Sequence, residues 1–298
     1  MYAKDPDHER HEEGCDHVVI KKIQQQFYWD TLMKDLPEDD HLQVYRLDYA
    51  GIKVAPCEKW AELVAVHIEP LHNEPEGKPK RKIQYQFNHF ILPPEKKKNK
   101  KATEEDLVDL DSLDESLTGG VKKDVNFTAK CLEQWWKISL RPTTTRMYIF
   151  TDGGAADFKN SKFENFLLSF QAKINEERSS GNELRIEHHI FAPNHGQGIC
   201  DAGHSHGVRK LKNWALENDK IIDKPQEVME VFKTIKNHTA SVVANNQAYE
   251  DVQTFTGIST CLVFRFDSDN GSVKGYENSQ SKRVVKSWVP KTKSNRQK

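Results

Sequence analysis

MYIFTDGG (147–154), AADFKNSKFENFLLSFQAK (155–173) and ELRIEHHIFAPNHGQGICDAGHSHGVRKLKN (183–213) form the stretch whose reading decides the fold. The apolar run Met147–Phe150 ends in Thr151-Asp152-Gly153-Gly154, the pattern of a buried strand that delivers an acid to a glycine turn. Phe163, Phe166, Leu167, Phe170 and Ile174 follow at i, i+3, i+4, i+7 and i+11, one apolar helix face. Leu184–Ala192 reads as a second strand and His195-Gly-Gln-Gly as a turn. Asp201 then heads a helix carrying Val208 and Leu211 on its apolar face. Two aspartates therefore stand at matching ends of neighbouring strand–helix units, where ligands of α/β sheets bind.

Outward from this centre, Val18–Leu36 has helical spacing closed by Pro37. Leu42–Leu47 is a strand running into Asp48, and Leu63–Ile68 is another. Ile83–Ile91 alternates with period two, as expected of an antiparallel strand. Residues 93–123 carry a lysine block (Lys96–Lys101) and then an acidic block, charge segregation typical of a disordered insertion. Asn126–Ile138 returns to helical spacing. Beyond Asn218 the signal weakens to a helix over Pro225–Ile235, a strand over Cys261–Phe266 and a turn at Asp269–Ser272. The order strand, strand, strand, helix, strand, helix, strand, helix predicts a mixed sheet flanked by helices. Three parts are expected: a polar segment and helix over 1–40, a core over 41–220 with the insertion at 93–123, and an extension over 221–298 ending in a basic tail.

Composition narrows the function classes. A net charge of −1 gives no global attraction to nucleic acid, so any such contact must be local. Five scattered cysteines, an odd number, argue against a disulfide framework and for a reducing compartment. No signal peptide and no membrane-length apolar run is visible. These features predict a nuclear or cytoplasmic protein, not a secreted one, with no membrane partner; self-association is left open. From Ser281 onward there are seven Lys or Arg residues and no acid, so the tail suits either nucleic-acid contact or simple solubility.

Asp48, Asp152 and Asp201 carry the candidate chemistry. Taken singly, each has a local explanation as strand end, turn residue or helix cap. Taken together, they would converge if the strands bearing Asp48 and Asp152 were neighbours. Clustered carboxylates repel and call for a compensating cation, and hard oxygen donors suit Mg²⁺ or Mn²⁺. Two such ions can clamp the attacking and leaving oxygens of a phosphodiester. Lys159, Asn160, His195 and Lys210 are the candidate nucleic-acid contacts, because lysine acts as a point charge on phosphate. A rival zinc reading uses Cys200, His195, His204 and His206. Their spacing is not that of a finger, and a helix turns His204 and His206 to different faces, so zinc is not expected.

The chain resembles the ribonuclease H-like core of transposon-derived eukaryotic proteins. The resemblance rests on LDYAG (47–51), DVNFTAKCLEQ (124–134), FTDGGAADFKNSKFENF (150–166) and FAPNHGQGICDAGHSHGVRK (191–210), with the last two blocks the specific ones. It departs from the family pattern after Asp48, where Tyr49-Ala50-Gly51 stand in place of Ser-Glu-Asn. The resemblance implies a five-stranded ribonuclease H-like sheet and an aspartate metal site at Asp48, Asp152 and Asp201. It also implies DNA as partner and transposase-like cleavage or strand transfer. The alternative is a domesticated, non-catalytic nucleic-acid-binding or protein-interaction domain.

Overall fold

A computed structural model describes residues 16–54, 58–71, 83–92, 125–152, 158–191, 198–222, 224–243 and 255–289. The lysine block 96–101, the rest of the 93–123 segment, His195 and the chain beyond 289 lie outside the described residues.

The chain begins with α1 (Asp16–Asp30), a π turn (Thr31–Asp35) and the short α2 (Leu36–Glu38). Three antiparallel strands follow: β1 (Leu42–Val54), β2 (Glu58–Pro70) and β3 (Ile83–Leu92). Next come α3 (Val125–Ser139), β4 (Arg146–Thr151), α4 (Ser161–Glu176), β5 (Arg185–Ile190) and α5 (Ile199–Glu217). The chain continues through α6 (Pro225–Lys233), β6 (His238–Val242), β7 (Val263–Asp267), β8 (Ser272–Tyr276) and β9 (Val284–Trp288).

All the strands join one nine-stranded mixed sheet in the order β6-β3-β2-β1-β4-β5-β7-β8-β9. This overturns the five-stranded ribonuclease H-like sheet expected from the sequence. The segment after 221 does not simply extend a finished core. It adds β6 in parallel to the β3 edge, and β7 antiparallel to the β5 edge, with β8 and β9 beyond. The physical reason is that β3 and β5 would otherwise be sheet edges with unpaired backbone groups, and the later strands satisfy them. Each added strand is only five residues long. Such strands give weak periodicity, and their pairing depends on distant partners, so the sequence signal was faint.

Side chains alternate across the sheet. Tyr45, Leu47, Leu63, Ala65, Met147 and Ile149 face α3 and α4 in the largest apolar core, with Trp136, Phe163 and Phe166 from the helices. Leu42, Val44, Val64, Val66 and Phe150 face the opposite way, against Tyr28, Leu32 and Cys200. Farther along that second face, Ile52 and Ile91 meet Leu211 of α5 and Val228 and Phe232 of α6. Two glycines let α5 lie close. A Cβ at Gly203 would run into the Phe87 ring, and one at Gly207 would meet Phe232 at 2.7 Å.

β1 is longer than its apolar run suggests. Asp48 sits inside it, paired with Val64 of β2, and does not end it. The parallel pairing of β1 with β4 does stop there, its last pair being Leu47 with Thr151.

Candidate functional site

The β1–β4 register builds the site. Val44 pairs with Tyr148, Arg46 with Phe150 and, last, Leu47 with Thr151, so Asp48 and Asp152 are the residues that follow the last pair on each strand. Both lie on the face covered by α5, because residues two apart share a face. Asp201 stands in the first turn of α5, and its Oδ2 accepts the Gly198 backbone N–H at 2.9 Å. Asp48 Oδ1 accepts the Tyr49 N–H at 2.8 Å.

The three acids share one electrostatic neighbourhood. Burial first, then Asp152 and Asp201, push the Asp48 carboxyl up to about 7, against smaller opposing effects of the Tyr49 N–H and Arg46. Arg46 is buried beneath them, its guanidinium carbon 4.8 Å from the Phe191 ring centroid and 5.5 Å from that of Tyr28. Cys200 donates its thiol to the Arg46 carbonyl at 3.7 Å, and burial pushes that thiol up. It is a packing residue of α5, far from a thiolate ligand.

The donor set is all oxygen and suits a hard divalent cation in kind. Among the described residues, however, no three His, Cys, Asp or Glu side chains converge closely enough to cage an ion. Asp201 is already engaged as a cap. Cation binding at these acids would require its carboxylate to turn.

The nucleic-acid candidates divide. Lys159 donates to the Ser259 carbonyl at 2.7 Å, and burial lowers its ammonium below the ordinary lysine value. Asn160 is the N-cap of α4, its Oδ1 accepting the Phe163 N–H at 3.0 Å. Lys210 is exposed on α5. Lys159 and Asn160 therefore have structural duties, and Lys210 is the solvent-facing one of the three.

Sequence reasoning missed a buried polar chain beside the acids. Glu62 of β2 is fully buried. Its Oε1 bonds His89 Nδ1 at 2.5 Å, and its Oε2 bonds His204 Nδ1 at 2.5 Å. His89 Nε2 bonds His238 Nδ1 at 2.8 Å, and the His206 ring meets His238 edge-on at 5.4 Å. Burial alone would raise Glu62, but the bonds from His204 and His89 hold it below the ordinary value. His238 is pushed down to about 4 by burial, His89 and His206. His89 uses its two ring nitrogens in opposite directions, so these groups form a chain and not a cage around one metal. Glu62 and His89 sit singly in apolar strand patterns, which is why no local motif announced them.

A second buried chain lies across the sheet. Glu164 of α4 bonds His188 Nδ1 at 2.8 Å, and His188 Nε2 bonds Thr151 Oγ1 at 2.8 Å, immediately before Asp152. Burial raises the Glu164 carboxyl.

Residues 122–260 match the model of a domain of unknown function (DUF8701). That span takes in Asp152, Asp201 and His204 but not Asp48, Glu62 or His89. No curated protein and no solved structure matches the chain. Among the described residues, no helix is long and apolar enough to cross a membrane.

Proposed function

We propose that this protein acts on nucleic-acid phosphodiesters through Asp48, Asp152 and Asp201, with Mg²⁺ or Mn²⁺ as the cofactor and transposase-like cleavage or strand transfer as the reaction class. The observation that carries the reading is that Asp48 and Asp152 directly follow the last β1–β4 pair, Leu47–Thr151, and share one electrostatic neighbourhood with Asp201 in the first turn of α5. Carboxylates on one face of adjacent strands are costly unless a cation offsets them. A bound divalent ion supplies charge stabilisation to the attacking and leaving oxygens. The protein's part is to hold Asp48 on β1, Asp152 just past β4 and Asp201 on α5, to keep Asp48 between its charged and neutral forms near pH 7, and to back them with the buried Arg46.

Two observations favour a non-catalytic reading: Asp201 is turned to its own helix end, and no cage has formed among the described residues. On that reading the domain binds DNA, or another protein, without cleaving.

The test is a single labelled DNA duplex incubated at low salt with Mn²⁺ or with chelator, scored for both retardation and nicking. Metal-dependent nicking that disappears in Asp152→Asn supports the catalytic reading. Retardation without nicking under every condition supports the binding domain. Neither retardation nor nicking at low salt removes nucleic acid from the account.

A further inference from the structure

His204 lies three residues beyond Asp201, which puts the two on the same side of α5 one turn apart. Its ring orientation is dictated by the buried chain. Glu62 can only accept when ionised, so both of its imidazole partners donate from Nδ1. His89 turns its Nε2 to His238 Nδ1, which carries the chain on to β6. The same logic assigns His204 its Nδ1–H and leaves Nε2 as its remaining titratable position. The His204 side chain is 22% exposed, while that of Glu62 is fully buried. An acid that fixes one imidazole nitrogen and stabilises the imidazolium is the arrangement by which proteins aim a histidine at a substrate.

We propose that His204, oriented through Nδ1 by the buried Glu62, presents Nε2–H to a phosphate oxygen of a nucleic-acid strand bound at the acid site. The proposal rests on the phosphodiester reading above and names a residue that recognises the substrate there. Several groups bear on the His204 charge. Glu62 of β2 faces it directly, and Asp201 of its own helix and Asp48 of β1 act through space. His89 of β3 and His238 of β6 stand behind Glu62, with His206 edge-on to His238. The bond to Glu62, followed by these carboxylates, raises the imidazole above its ordinary value, against the opposing effect of burial.

The experiment measures fluorescence anisotropy of a labelled DNA oligonucleotide between pH 5.5 and 8.5, with Mn²⁺ and with chelator, on the full chain. Affinity of the wild type should fall about tenfold as His204 loses its proton, the scale of one charge-assisted hydrogen bond. His204→Asn should lose that fall and keep only the pH dependence that Asp48, raised to about 7 at the same site, contributes. Glu62→Gln should move the midpoint to lower pH. His204→Lys, which keeps a charge without needing Glu62, should bind with no more pH dependence than His204→Asn and keeps the test decisive if Glu62→Gln does not fold. Inorganic phosphate serves as a competitor. Displacement only at concentrations far above that of the oligonucleotide supports a strand phosphate, and equal potency overturns that assignment. A full pH dependence retained in His204→Asn, or no binding by the wild type at low salt, overturns the proposal. Absence of nicking and of any Mn²⁺ response strikes the metal chemistry instead, because the chelator arm still reads the His204 contribution.

Discussion

At the scale of single residues, Asp48 is the most informative position. Its carboxyl binds its proton more tightly in the folded state than in the unfolded chain, where an aspartate titrates near 3.9. The folded protein therefore holds more protons between about pH 4 and pH 7, and over that window this group's contribution to stability falls as pH rises. Above pH 7 the penalty is complete. His238 acts in the opposite sense: its lowered value removes stability as pH falls below about 6.5. Subtracting the Asp48→Asn curve isolates the aspartate. Thermal melts should show the wild type losing more stability than Asp48→Asn between pH 5 and pH 8. At pH 8, Mn²⁺ should raise the melting temperature of the wild type by mass action and leave Asp152→Asn unmoved. An equal metal response in that variant would move the ion elsewhere, with the histidine chain the first place to look.

At the scale of elements, α5 is the piece that completes the site. Among the contacts that hold it are the Gly203 backbone against Phe87, Gly207 against Phe232, and His204 on Glu62. Gly203→Ala should cost about 1–3 kcal/mol by overpacking against the Phe87 ring, unless the ring gives way. Urea denaturation would read the loss, and an unchanged midpoint would show that the ring moves freely. Glu62→Ala should be worse. It leaves His89 and His204 without their shared acceptor in a buried setting, a loss on the order of 3–5 kcal/mol. A Glu62→Ala protein within about 0.5 kcal/mol of wild type, the level of a neutral surface change, would mean the chain is not ordered as described. α5 was legible in the sequence because its apolar spacing is regular and Asp201 opens it. Its hold on the sheet was not, because Glu62 and His89 lie far along the chain and acquire meaning only when the β2–β3 pairing sets them under one helix.

At the scale of the whole molecule, the last four strands close both edges of the sheet that β1 to β5 begin. A chain ending at Thr260 would lack β7 to β9 and expose the β5 edge. It would also lose Leu262, whose carbonyl accepts the Ile190 N–H at 2.8 Å, and Phe264 from the main core. Such a truncation should aggregate or lose its cooperative melt. A soluble truncation with a sharp transition would mean that the five central strands suffice.

The sequence by itself determined the central strands and the helices between them, because apolar periodicity is a local property written at spacings of two and three to four residues. It also singled out Asp152 and Asp201 as acids at the starts of turns and helices, again from local pattern. Only the tertiary structure decided that Asp48 lies within a long strand, that nine strands share one sheet, and that Lys159 is bound to a carbonyl across the fold. It alone assembled Glu62, His89, His204 and His238 into one buried chain. Each of those outcomes depends on which distant segments pair, and pairing is set by the satisfaction of backbone edges and the burial of whole faces, quantities that no short window of sequence contains.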